Sequence, residues 1–293
     1  PEPERNEAYL TAGNYYLEKN NIEKAIEYLF QSNQKQRGEE LFLEAADQLL
    51  DKGEYEAVQI LLNNFSKQEI GQNPLLSYYD GLVMNLIKPF SSRKHLLNLL
   101  PYFREKNDHL RECRIYTELL SNYFLFLESE ELVNELTNMA LEFLETAKEN
   151  LPAEKREILE ALATLGTWWV DTNYSRPYEV ALRAEEASYK FRNEEAFLCS
   201  RLVLSKIYIY KGSFSDSLRL MLKTEKFFEK YPSKHPYLAL IRFAVGDSYF
   251  YLGEIDKAIE VTEIALENVQ EGFAVTRFLK LNLIFYYLYT YEY

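Results

Sequence analysis

Apolar and small residues recur along the chain at three- and four-residue intervals, the spacing that places them on one face of an α-helix. The pattern is sharpest in AVGDSYFYLGEIDKAIEVTEIAL. There Gly246 is followed by Tyr249 three positions later and by Gly253 four after that, with Leu252 just before the second glycine. Ala258, Thr262 and Ala265 then share one face of the next segment. This predicts a helix, a tight turn at Gly253 and a second helix folded back on the first. The small residues mark where the two rods cross closely.

The same spacing recurs. Gly13, Tyr16, Asn20, Ala25 and Leu29 form a first unit, with Asn20 in the turn position, where asparagine tolerates a left-handed backbone. Ala46, Leu49, Gly53, Val58 and Leu62 form a second, and the turns at Asn20 and Gly53 lie 33 residues apart. That is close to the tetratricopeptide (TPR) repeat length of about 34. A looser third unit runs from Asn73-Pro74 through Gly81 and Met84 to Lys88, where Pro89 ends the helix, and then from Phe90 to Arg104. A fourth pair spans His109 to Phe126 and Glu131 to Glu149, before Leu151-Pro152 breaks the chain. Gly166, Trp169 and Asn173, with a helix from Pro177 to Phe191, make the fifth. Ser205, Tyr208, Gly212, Ser217, Met221 and Thr224 make the sixth. The small positions 166, 205 and 246 are spaced by 39 and 41, so the later helices are longer than a strict repeat. Gly272 ends the seventh pair and Phe273 opens one more helix. The expected fold is all-α: a TPR-like, right-handed superhelical solenoid of about seven antiparallel helix pairs. No Pro-, Gly- or Ser-rich linker divides it, so residues 1–293 read as one continuous repeat domain. The first residue is Pro, and the tail LIFYYLYTYEY is apolar on nearly every side. Both features predict a fragment of a larger protein.

Charge narrows the function. A formal net charge of −13 argues against a region that grips nucleic acid, which needs clustered Lys and Arg. Two cysteines make no disulfide framework and predict a reducing compartment. No apolar run of membrane-spanning length and no leader segment appears, so the expected location is cytoplasmic, with no membrane contact. Of three histidines only His109 has a companion at helical spacing, Cys113, and two ligands do not complete a zinc site. No phosphate-cradling loop, nucleophile elbow or dinucleotide glycine triplet is present. The expectation is a non-enzyme without cofactor or metal. Trp168-Trp169 and Tyr78-Tyr79 read first as core.

In such arrays the first helix of each pair lines the inner surface. Residues one, four and five after the small position then point inward: Thr167, Val170 and Asp171; Lys206, Ile209 and Tyr210; Asp247, Phe250 and Tyr251. Rings beside single charges are a common lining for a ligand pocket. The candidate groove residues are Thr167, Asp171, Lys206, Tyr210, Asp247 and Tyr251. The expected partner is a small-molecule or peptide effector or a protein, with self-association as a further expectation.

The N-terminal third, NEAYLTAGNYYLEKNNIEKAIEYLFQSNQKQRGEELFLEAADQLLDKGEYEAVQILLNNF followed by NPLLSYYDGLVM, carries a further pattern. A pair ends in an Ala-Ile-Glu helix, a second carries Ala45-Ala46, Leu49-Leu50 and Gly53-Glu54, and an Asn-Pro-Leu-Leu helix start follows. Over about Asn6 to Leu86 this resembles the region after the ATPase module in MalT-like, LuxR-type regulators of the STAND class. The resemblance implies a helical array that senses an inducer and helps the protein self-associate. It also implies an upstream P-loop module and a downstream helix-turn-helix, neither of which is in this chain. The second pair ends Leu61-Leu62-Asn63-Asn64-Phe65, where the family commonly has Trp-Leu-x-x-Leu-Pro. Two other readings stay open: a peptide-binding TPR receptor and a non-catalytic assembly scaffold. The carboxylate clamp of co-chaperone repeats is set aside because its lysine position is Leu10.

Overall fold

The computed structural model describes residues 2–51, 54–126, 130–168, 175–230, 236–269 and 275–291. These contain sixteen α-helices and no strand. The chain divides into two compact units, one formed by Pro1–Met84 with Lys94–Tyr102 and the other by Asn85–Arg93 with Phe103–Tyr293. The division runs through two helices and not through a linker.

The first unit holds α1 (Glu2–Glu18), α2 (Ile22–Gln31), α3 (Lys35–Asp51), α4 (Tyr55–Leu62) and the short α5 (Lys67–Gln72). It also takes most of α6 (Pro74–Ile87) and the middle of α7 (Pro89–Glu105). The second unit takes the rest of those two and continues with α8 (His109–Phe126), α9 (Glu130–Ala147), α10 (Ala153–Trp168) and α11 (Ser175–Lys190). It ends with α12 (Glu194–Tyr210), α13 (Phe214–Phe228), α14 (Pro236–Tyr251), α15 (Ile255–Asn268) and α16 (Val275–Tyr291). Successive helices pack on one another from α1 to α4 in the first unit and from α8 to α16 in the second. First helices also touch one another, as α8 does α10, α12 does α14, and α14 does α16. This is the TPR-like solenoid pattern: seven pairs, the extra α5 and the lone α16. The α5 helix was not expected. A capping box starts it, with Ser66 accepting from the Glu69 amide and the Glu69 carboxylate accepting from the Ser66 amide.

The turns follow the local chemistry. Asn20, Gly212 and Gly253 have φ of 56°, 74° and 77°, the left-handed conformation the spacing demanded. The Asn21 side chain then caps α2 through the Lys24 amide. Gly53 lies outside the described residues. Asn107 and Arg192 also turn left-handed, at 54° and 55°. For Arg192 nothing in the residue type announces this, and the conformation costs roughly 1 kcal/mol.

Close crossings occur at the small positions. A Cβ added at Gly246 would lie 2.7 Å from Thr262 Oγ1 on α15, and one at Gly13 would lie 3.1 Å from Leu29 Cγ on α2. At Gly81 it would meet Leu96 Cδ2 at 2.6 Å. Ala46 is fully buried. Ser205 shares its hydroxyl with Ser217 at 2.7 Å, and Ser217 continues to Ser248 at 2.8 Å, so a buried hydroxyl chain joins α12, α13 and α14. Gly166 differs from expectation. Its bare face meets Thr137 and Val133 of α9, the helix before it. The reason is that α10 packs on both α9 and α11, and the small residue serves the earlier neighbour. Tyr78 and Tyr79 are fully buried and meet edge to face at 5.0 Å, as core residues. Trp169 and Asn173 lie outside the described residues, as does the Trp168 side chain.

Gly246→Ala is expected to lower stability by about 1–3 kcal/mol, because Thr262 is held in place by its own bond to the Ala258 carbonyl. Gly71→Ala, where an added Cβ meets nothing within 4 Å, is expected to cost nothing. Urea unfolding midpoints of the two variants check both statements. Equal midpoints would remove the crossing at Gly246 as a constraint.

Candidate binding face on alpha 12, alpha 14 and alpha 16

Three first helices of the second unit carry the features of interest. Lys206 leaves α12 and reaches α14, where its Nζ lies 2.6 Å from Asp247 Oδ2. The same ammonium sits 5.3 Å from the centroid of the Phe243 ring. The other carboxylate oxygen, Asp247 Oδ1, accepts from Asn282 Nδ2 at 2.8 Å and from the Tyr286 hydroxyl at 3.2 Å, both on α16. Asn282 and Tyr286 are four apart on one helix face and are themselves bonded at 3.0 Å. Phe250 stacks on Tyr286 at 5.0 Å. Burial pushes the Tyr286 hydroxyl pKa up first and the Asp247 carboxylate adds to it, so the phenol stays protonated and donates. One aspartate thus ties three first helices together.

Of the six candidates named from the sequence, Lys206 and Asp247 are brought into direct contact. Their side chains are 19% and 13% exposed, so each is the other's partner more than an open ligand handle. Tyr210 and Tyr251 end their helices and are 59% and 50% exposed. Tyr251 is braced from behind by Phe214, stacked at 5.4 Å and 16°, and by the edge of Phe250. Ile209, expected inward-facing, is buried. The side chain of Thr167 and all of Val170 and Asp171 lie outside the described residues. The face that emerges is a partly buried charge tie with exposed tyrosine rings at the helix ends.

Sequence reasoning missed Phe243, Asn282 and Tyr286. The Asn282/Tyr286 pair was visible as an i, i+4 polar couple in an otherwise apolar helix. It also missed a repeated clamp: Arg201 pairs with Glu185 at 2.6 Å and Arg242 with Glu225 at 2.7 Å, each joining a first helix to the helix before it. The arginines are 41 apart and the glutamates 40, the same period as the small residues.

Cys113 and His109 both sit in packed surroundings. Burial pushes the Cys113 thiol up to about 12, and its sulfur faces the Lys155 carbonyl. The His109 ring packs near Phe143. Among the described residues no group of three or more His, Cys, Asp and Glu is placed to hold a metal, and no helix is long and apolar enough to cross a membrane.

The class this architecture defines is the TPR-type helical repeat, and comparison with solved structures agrees. The chain is similar over 99% of its length to NprR in complex with its cognate peptide NprX, with a TM-score of 0.61, 17% identity and 83% of that chain covered. It is also similar to a STAND protein with a tetratricopeptide-repeat sensor from Pyrococcus horikoshii. There the TM-score is 0.52 at 18% identity, over 95% of this chain and 41% of that one. At such identities the likeness is one of fold. No protein-family model and no curated protein sequence matches the chain.

The Lys206–Asp247 tie is testable by a double-mutant cycle. Lys206→Met strands the carboxylate and Asp247→Asn strands the ammonium. The double variant removes both charges and keeps an acceptor for Tyr286. A favourable coupling of about 1–2 kcal/mol is expected between the two positions in unfolding free energy. Additive losses would show that the two charges do not act on each other.

Proposed function

We propose that this chain is a non-catalytic, signal-sensing repeat region that binds a small effector or short peptide on the face of α12, α14 and α16. The observation that carries the reading is the placement of Tyr210 and Tyr251, half or more exposed, beside a charge tie whose groups are already ordered. A ligand that covers the rings meets a surface whose supports are already ordered and costs little to organise. The resemblance of residues 6–86 to MalT-like, LuxR-type regulators supports placing this region in a bacterial transcription activator. The fold likeness to a peptide-bound regulator supports a peptide as the effector. Self-association is the second half of the reading, favoured by the row of exposed apolar residues on α16.

A thermal-shift screen of sugars, nucleotides and short peptides is expected to find a ligand that raises the melting temperature, since a ligand binding only the folded chain stabilises it. The double variant Tyr210→Ala, Tyr251→Ala is expected to lower that ligand's affinity at least about tenfold, because each ring contributes on the order of 1 kcal/mol of stacking. Without ligand the variant is expected to stay folded, with a melting temperature a little below the parent's because Tyr251 loses its stacking on Phe214. Unchanged affinity, or loss of the fold, would move the site off this face.

A further inference from the structure

The outward face of α16 is the most apolar exposed surface among the described residues, and it is basic at one end. Leu281, Ile284, Phe285 and Leu288 are 61%, 57%, 55% and 61% exposed. Arg277 and Lys280, both exposed, stand one turn nearer the helix N-terminus. They are the only charged residues of α16, a cationic helix in a chain of net charge −13.

The opposite character appears on α1. Ala8, Thr11 and Ala12 line the middle of an open groove of about 690 Å³, with Glu4 and Glu7 toward the helix start, Tyr15 and Tyr16 toward its end, and Tyr28 of α2 along its side. The α1 helix carries four glutamates against one arginine. It is small where α16 is large, and acidic where α16 is basic.

The two faces also match in register. Both helices have seventeen residues. Counted from their first residues, Glu4 and Glu7 occupy the same places as Arg277 and Lys280. Ala8, Thr11, Ala12 and Tyr15 occupy those of Leu281, Ile284, Phe285 and Leu288. Two such helices laid side by side in the same direction bring each carboxylate beside a cation and each small residue beside a large one. Same-direction neighbours already occur in this fold, as α14 beside α16.

We infer that α16 of one copy docks, in parallel, into the α1 groove of a second copy. The contact is head-to-tail, so it uses two different surfaces and leaves each bound copy with one surface for the next. It buries the large side chains of α16 on the alanines of the groove, while the charges at the N-terminal end set direction and register. This inference deepens the self-association half of the proposed function and is independent of effector binding.

The test is sedimentation velocity of the 293-residue chain over a concentration series, with two charge-reversed variants. Parent protein is expected to form species larger than a dimer as concentration rises, and to dissociate at high salt. The variant Glu4→Lys, Glu7→Lys blocks the groove, and Arg277→Glu, Lys280→Glu blocks the helix. Each alone is expected to associate at least about tenfold more weakly, with an unchanged circular dichroism spectrum. Mixed, the intact α16 of the first variant meets the intact groove of the second, and the reversed groove and reversed helix are complementary in turn, so association comparable to that of the parent is expected. A parent that stays monomeric at high concentration would overturn both this contact and the self-association reading. A parent that associates while the groove variant associates equally well would overturn the head-to-tail contact alone and point to α16 against α16. A mixture that fails to pair would also overturn it.

Discussion

Every feature of the candidate face depends on how closely the two helices of a pair approach. At Gly246 there is no room for a methyl group against Thr262, and at Gly13 a methyl would press on Leu29. That spacing brings each pair into register with the next, because a helix pair in such an array has no core of its own and is held by its neighbours. The buried hydroxyl chain through Ser205, Ser217 and Ser248 shows the same constraint in polar form. Serine is small enough for a crossing, and the chain ends where the Ser248 hydroxyl donates to the Ala244 carbonyl of its own helix.

The charge tie is a consequence of that register. Lys206 reaches Asp247 because α12 and α14 lie alongside one another, and Asp247 reaches Asn282 and Tyr286 because α14 and α16 do. A partly buried aspartate facing a single lysine would be poorly compensated. Two further donors fill its second oxygen, and the phenol is kept protonated by the burial that makes it useful. The result is a carboxylate with ordered partners on three helices. The repeated Arg201–Glu185 and Arg242–Glu225 clamps fasten the same first helices from the other side. The exposed rings of Tyr210 and Tyr251 therefore stand on supports that are fixed from two directions.

The fold was largely legible in the sequence because its determinants are local. A small residue, a ring three later and a left-handed turn four after that are read within one helix and one turn, and Asn20, Gly212 and Gly253 turn as that spacing required. Arg192 was illegible because an arginine in a left-handed turn is imposed by the helices on either side. The α5 helix was illegible because six residues carry no periodicity, only a cap. The candidate face was half legible. The period placed Lys206 and Asp247 on successive first helices, yet it did not reveal that they face each other, since side-chain direction over 41 residues depends on the crossing angle. Asn282 and Tyr286 were missed for a simpler reason. They sit in a helix whose apolar surface drew attention to its outer side, while its inner side held the polar pair.

The abundance of tyrosine, 24 in 293 residues, follows from the same geometry. An array of paired helices has many seams and little deep interior, so a ring that packs on one side and bonds on the other fits better than phenylalanine. Tyr116 is fully buried, and its hydroxyl accepts from Arg104, which also pairs with the buried Glu112. Tyr178 and Tyr208 meet through their hydroxyls at 3.2 Å, which with burial pushes Tyr208 up to about 12 and keeps the bond protonated at any physiological pH. Tyr286 does the same at the charge tie. Tyr210 and Tyr251 differ from these four in lying half or more exposed at the ends of their helices. The two rings occupy equivalent positions 41 apart, each half or more exposed, and Tyr251 keeps one face on Phe214 while the other edge of the seam stays open to solvent.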